Sequence, residues 1–538
     1  MFKKNLALLL VLVMVLSAFA GCAKKEEAAP ATDGGETAPV EEMVAQEVYW
    51  NLGADPKTLD PGLNETVDGG HIANNMFEGL MREIDGKLVN GMASAYEVSE
   101  DLMTYTFTIR EGVLWSDGQA LSAKDFEYAW NRVLDPATAS PYAWIYDEAN
   151  VESVEAPDES TFIVHLKAPA EYFLGLTGFA TFFPVRQDAV EAGADGTWAK
   201  NPEFAISNGP FKLADYTIGD SLVLVKNENY WNADSVKLEK IVAKFIVEES
   251  TAHTAFEAGE IQVNLNKTPA AEIPTLLAES DEFYIFARPG TYYFNLNMEN
   301  PAFQDARVRK ALSYAIDRKA ITEMLNAGNI PANNLIPPGI IDSEGNDFNE
   351  KAGGFGLPLS DEKIEEAKAL MAEAGFPNGE GFPEVEYLTN ASEMHLSIAQ
   401  AVQEMWKKHL GVNMKISQQE WAVFSETRKA HNFVIARGGW IGDYVDPLTF
   451  IGYFITGNPL NDPQFSDENF DKLIADSAFK TGQERMELLY QADEILLNSG
   501  AAIPIYHYVD KLQLATEVKD MKRTFLGKLY FGMSYIEE

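Results

Sequence analysis

Residues 385–416 read VEYLTNASEMHLSIAQAVQEMWKKHLGVNMKI, and this stretch decides the fold class. Two short apolar runs, at 385–388 and 412–416, have the length of buried strands. Between them, residues 394–409 carry apolar side chains at helical spacing. The stretch therefore predicts a strand–helix–strand unit with parallel strands. Upstream, Ser360 is expected to cap a helix with Asp361 and Glu362 in its first turn. Its buried stripe is Ile364, Ala367, Leu370, Met371 and Ala374, and it stops at Gly375 before Pro377. Downstream, a helix over 483–498 turns Met486, Leu489, Ala492, Ile495 and Leu496 inward and leads to a strand at 503–506. In the first half of the chain, residues 105–109 alternate as a half-buried strand, 115–118 supply a turn, and 222–225 read as a further strand. The whole is mixed α/β, without an internal repeat of about 20–50 residues.

Between these elements lies FVIARGGWIGDY, residues 433–444, an apolar strand that ends in glycines, a tryptophan and a lone acid. Two readings stand. In one, Asp443 caps whatever follows the strand. In the other, Gly438, Gly439 and Gly442 admit another backbone, Trp440 offers a flat apolar wall, and Asp443 holds a desolvated cation.

The amino end reads as a secretory signal over 1–21, with Lys3 and Lys4, an apolar run over 6–20, and Ala20-Gly21 before Cys22. That run is too short for a stable membrane span. Cys22 is the only cysteine and cannot form an internal disulfide. Its setting resembles the lipobox of bacterial lipoproteins, which implies lipidation at Cys22. Residues 22–46 then form an Ala-, Glu-, Pro- and Gly-rich tether without the apolar periodicity of a core. The remaining chain, about 490 residues, exceeds a single core and suits two or three lobes.

Acidic residues number 82 against 42 basic, a formal charge of −40 that disfavours nucleic acid and anionic membrane surfaces. The signatures of zinc proteases (HExxH), serine hydrolases (GxSxG), nucleotide-binding loops and paired CxxC sites are absent, and the seven histidines lack metal-ligand spacing. No cofactor, metal or catalytic residue is expected. A hydrolase with a carboxylate pair distant in sequence stays open as an alternative.

Several segments in order resemble the oligopeptide- and dipeptide-binding proteins of ABC importers, solute-binding protein family 5. They are YTFTIREGVLWSDG (105–118), AKDF (123–126), DPATASPYA (135–143), SNGPF (207–211), DARVRKAL (305–312) and the segment from Gln419-Glu-Trp421 through Pro447. The resemblance spans the chain after the tether. It implies a periplasmic-binding-protein-like (type II) two-lobed clamshell with an extra inserted domain and a hinge of crossing strands. Residues 47–77, 202–289 and 509–538 would form lobe I, 78–201 the inserted lobe II, and 290–508 lobe III.

For the site, the resemblance implies that Asp443 binds the α-ammonium of an extended peptide. The backbone near Gly439 and Ile441, with Glu65 to Val67 opposite, would pair with the ligand as an added strand. Arg437, Arg428 and His395 would receive the carboxylate at different ligand lengths. Trp421, Trp440, Tyr142 and Tyr293 would line side-chain pockets. Taken as residues alone, each basic group could instead neutralise an acid or flank a helix, and the aromatics could be core. The implied protein is a monomeric, non-catalytic receptor on the outer face of the cell membrane, periplasmic where the host has an outer membrane, that hands oligopeptides to ABC permease subunits. A relative with another ligand, such as a dipeptide, signalling peptide, metal chelate or sugar, is the alternative.

Overall fold

The computed structural model describes residues 44–193 and 197–537. The signal, Cys22 and most of the tether lie outside the described residues. Among those described, eleven strands join one sheet: β1 (Glu47–Asn51), β2 (Phe211–Thr217), β3 (Ser221–Lys226), β4 (Lys240–Lys244), β5 (Val263–Leu265), β6 (Phe283–Leu296), β7 (Ile330–Pro331), β8 (Val385–Asn390), β9 (Met414–Gln419), β10 (Ile435–Ile441) and β11 (Ala502–Leu514). Their spatial order is β9-β8-β10-β6-β11-β5-β1-β4-β3-β2, with the short β7 also on β11. This is the mixed α/β, periplasmic-binding-protein-like architecture expected from the sequence.

The expected strand–helix–strand unit is present, with elements slightly longer than its apolar runs. β8 and β9 are parallel from Val385 opposite Met414 to Asn390 opposite Gln419, joined by the helix Glu393–Leu410. One face of that helix buries Ile398, Ala399, Val402 and Trp406, and the Trp406 indole N–H donates to the Leu312 carbonyl at 2.8 Å. Gly411 ends the helix at φ +70°, where an added Cβ would lie 1.9 Å from the Asn378 carbonyl oxygen, so no other residue fits.

β6 and β11 are the long members of the sheet. They pair antiparallel from Phe283–Gln513 to Ala287–Val509, lose register across Arg288, Pro289 and Gly290, and resume at Thr291–His507. Pro289 has no N–H for the ladder, which accounts for a break at that point. Two segments distant in sequence are clasped near Met76–Glu78, where Gly209 N–H donates to the Met76 carbonyl and the Asn208 side chain both accepts from Glu78 N–H and donates to Glu78 C=O. A separate four-stranded antiparallel sheet, within 93–166, contains Thr104–Ile109 with its expected alternation of burial.

Three expectations change. Ser360 does not cap with its side chain: its backbone N–H donates to Glu362, and a 3₁₀ turn, Asp361–Lys363, precedes the helix Ile364–Glu373. The strand expected at 503–506 extends to Leu514, because Asp510, polar in sequence, is buried against Arg288 and Arg523 and does not interrupt the strand. Gln46, assigned to the tether, is pinned to the far end of the chain by two hydrogen bonds to the Ile536 backbone, each 3.0 Å.

Trp406→Ala removes a fully buried indole and its hydrogen bond and is expected to cost about 3–5 kcal/mol of unfolding free energy. Trp406→Phe should cost distinctly less. Urea denaturation of both variants checks the ordering.

Candidate functional site

β10 is covered unevenly. On one side β6 pairs with it throughout, from Leu296–Ile435 to Gly290–Ile441. On the other, β8 reaches only Ile435 and Ala436. From Arg437 to Ile441 that edge has no partner strand among the described residues, and its main-chain groups are open to an added strand.

Alternation places Arg437, Gly439 and Ile441 on one face and Gly438 and Trp440 on the other. The glycines make room for the protein's own rings. A Cβ on Gly438 would lie 2.4 Å from the Tyr293 ring, one on Gly439 would lie 2.6 Å from the Tyr508 hydroxyl, and one on Gly442 would lie 2.7 Å from Phe450. The closeness read from sequence is therefore satisfied within the chain. Trp440 stacks obliquely on Tyr453, ring centres 4.6 Å apart, and its indole N–H has no partner among the described residues.

Past the strand end, Asp443 lies on the wall of a cavity of about 510 Å³. Its backbone N–H donates to Thr449 Oγ1 at 3.1 Å, and the Tyr142 hydroxyl donates to its Oδ1 at 3.2 Å. Asp443 does not cap the helix Leu448–Ile451 that follows; its N-cap is Pro447, and the Leu448 N–H is taken by Asp446 Oδ1 at 2.9 Å. Asp443 has no ion pair among the described residues. Burial pushes its carboxyl up to about 6, with Tyr142 opposing that rise. A carboxylate so desolvated gains from any ammonium that reaches it.

The cavity gathers five of the residues anticipated from sequence: Glu65, Val67, Tyr142, Ile441 and Asp443. Glu65 is held by Lys57, and Val67 opens the helix Val67–Met76, which Thr66 caps. Arg437 and Gly439 lie farther along β10. Arg437 faces the Tyr292 ring at 5.4 Å and reaches the Tyr508 hydroxyl at 3.4 Å, its Nε has no partner, and no carboxylate lies within ion-pairing distance among the described residues. His395 also packs against Tyr292, ring centres 5.5 Å apart. Burial, then the charge of Arg437, pushes it down to about 4, so it is neutral at pH 7 and its Nδ1 lacks a partner.

The remaining residues lie elsewhere. Tyr293 is packed in the core with its hydroxyl 2.9 Å from that of Tyr453, because its ring fills the space left by Gly438. It does not line the cavity. Arg428 is occupied by Asp462 at 3.3 Å, and Trp421 is more than half exposed at the start of the helix Trp421–Lys429. Sequence reading missed Lys528, Arg288 and Tyr172, which also line the cavity. Lys528 and Arg288 come from segments far from residue 443, and no local pattern marks them.

Residues 87–462 match the family model described as bacterial extracellular solute-binding proteins, family 5 Middle. The chain belongs to this family. Among family 5 relatives, the oligopeptide-binding protein OppA of Bacillus subtilis is 33% identical, with 98% of each chain covered. The dipeptide-binding protein DppE of the same organism is 30% identical, with 95% of each covered. An unliganded open form of the murein tripeptide-binding protein MppA superposes with a TM-score of 0.79 at 30% identity, covering 92% of this chain and 98% of that one. Haemophilus influenzae OppA in complex with the peptide RPPGFSPFR gives 0.72 at 29% identity, covering 92% and 99%.

The raised carboxyl of Asp443 carries a stability signature. An acid at 3.8 when unfolded and about 6 when folded destabilises the fold in its ionised form. The cost is absent below pH 4, grows between pH 4 and 6, and is complete above. Asp443→Asn should therefore stabilise the ligand-free protein at pH 7.5 by on the order of 3 kcal/mol and make little difference near pH 4. Urea denaturation across that range checks it; a gain independent of pH would contradict it.

Proposed function

We propose that this chain is a lipid-anchored extracytoplasmic receptor that captures extended oligopeptides and delivers them to the permease of an ABC transporter. One observation carries the reading: an open strand edge has an unpaired acid, Asp443, beyond one end and an unpaired base, Arg437, at the other. Asp443 takes the ligand's α-ammonium, the Arg437–Ile441 edge with Glu65 to Val67 opposite pairs with its main chain, and Arg437, with neutral His395 beside it, receives its carboxylate. Main-chain pairing binds without reading side chains. Asp443 lies six positions after Arg437, at most about 20 Å in extended chain, so a ligand of roughly five or six residues spans both. Shorter ligands reach Arg437 through water. Relatives named for oligopeptide binding support the ligand class.

Cys22 supplies the lipid anchor, and the protein works as a monomer without catalysing a reaction. Its lobes are 47–77 with 202–289 and 509–538, then 78–201, then 290–508. The register break at Arg288–Gly290 and the Asn208–Glu78 clasp lie near those borders and support a hinge there.

Calorimetry with an unmodified hexapeptide tests the site. Asp443→Asn should weaken binding by about 1.5–5 kcal/mol, and N-acetylation of the peptide should cost a similar amount. Equal affinity in both cases would remove Asp443 from the site. Because binding requires the ionised acid, wild-type affinity should fall up to tenfold per pH unit below about pH 6, and Asp443→Asn should abolish that slope.

A further inference from the structure

The charge balance inside the cavity points to a preference among ligands, an inference that rests on the peptide-binding reading above. Lys528 lies along the helix Val67–Met76, where Gly70 leaves the space: a Cβ there would sit 3.0 Å from both Cε and Nζ of Lys528. The ammonium donates to the Val67 carbonyl at 3.3 Å and forms no ion pair among the described residues. Arg288 lines the same cavity. It is held loosely by Asp510 at 3.8 Å, and Asp510 is already shared with Arg523 at 3.6 Å and with the Asn266 amide at 2.9 Å.

The carboxylates that line the cavity are otherwise engaged, apart from one. Glu65 is bound by Lys57, Glu83 accepts the Phe525 N–H, and Glu171 accepts the Gly482 N–H and lies 4.0 Å from Arg485. That leaves Asp443, which interacts with Lys528 across the cavity without touching it. Burial and the neighbouring Arg288 push the Lys528 ammonium down to about 8. Asp68 and Asp510 also act on Lys528 at a distance, and once a peptide ammonium occupies Asp443 the Lys528 charge loses the one counter-charge that lines the cavity unpaired.

We propose that Lys528, assisted by Arg288, is a specificity-determining acceptor for an acidic side chain among the first three residues of the bound peptide. The position follows from the Val67 carbonyl, which lies where the ligand's amino-terminal main chain passes. A carboxylate there supplies Lys528 with a counter-charge in direct contact and makes charge-assisted hydrogen bonds to it.

The test is calorimetry, at fixed ionic strength, of hexapeptides that carry Glu or its neutral isostere Gln at position 1, 2 or 3 in an otherwise alanine sequence. The wild type should favour Glu over Gln at least tenfold at one position. Lys528→Met should reduce that ratio below threefold, Arg288→Met should reduce it in part, and Lys528→Arg should retain it. The Glu/Gln ratio on the wild type needs no variant to fold. Binding of all peptides without a Glu preference at any position overturns this inference and leaves peptide binding standing. A preference that survives in both Met variants also overturns it. If no peptide binds at all, both readings fail.

Discussion

The antiparallel pairing of β6 with β11 is the constraint on which the rest of the structure depends. These strands are the only described ones long enough to belong to both halves of the large sheet. The half built on β1 to β5 and the half built on β8 to β10 are joined through them. Their hydrogen bonding lapses for three residues at Arg288, Pro289 and Gly290, so the joint is continuous as chain and discontinuous as ladder. The same three residues bring site and joint together. Arg288 faces the cavity, Pro289 accepts the Gly442 N–H at 2.8 Å, and Gly290 packs beneath the Tyr508 ring opposite Ile441. A change at the joint is therefore felt beside Asp443.

The site is built from charges the fold leaves unsettled. Elsewhere the protein treats buried ions conservatively: Arg485 and Asp446 form a two-pronged pair at 2.7 and 2.8 Å, and Arg318 is surrounded by backbone carbonyls. Asp443, Arg437 and Lys528 have no such closure. Each gives up hydration without an ionic partner, a cost sustained by the remainder of a large core. Under the proposed function, that cost is what a zwitterionic ligand would relieve.

Much of the scaffold was legible in the chain. The 3.6-residue spacing around Trp406, flanked by two apolar runs, specified the parallel strand–helix–strand unit, because helix and strand periods differ enough to be separated by eye. Asp443 was visible as an acid where none was needed. The surroundings were legible only in part, for physical reasons. The Gly438 and Gly439 pattern was read as room for another backbone, whereas the occupants are the rings of Tyr293 and Tyr508, distant in sequence. The strand expected at 503–506 was drawn too short, because the partners that bury Asp510 beyond it, Arg288 and Arg523, cannot be inferred from neighbours. Lys528 was invisible for the same reason: its role is set by Gly70 and Val67 at the other end of the chain.

The open edge of β10 also bears on solubility. An unpaired strand edge is a template for another chain, and a long flat one invites sheets to join end on. Here the exposed stretch runs only from Arg437 to Ile441, shielded above by β8 at Ala436 and ended below by the turn at Gly442. It carries a guanidinium and two glycines, and it opens beside a cavity instead of a flat face. A rigid sheet from a neighbouring molecule would have to bury Arg437 without a counter-ion to dock there, whereas a single flexible strand with a carboxylate end would not. The same short, charged and glycine-bearing edge that suits one flexible strand is therefore a poor template for a neighbouring sheet.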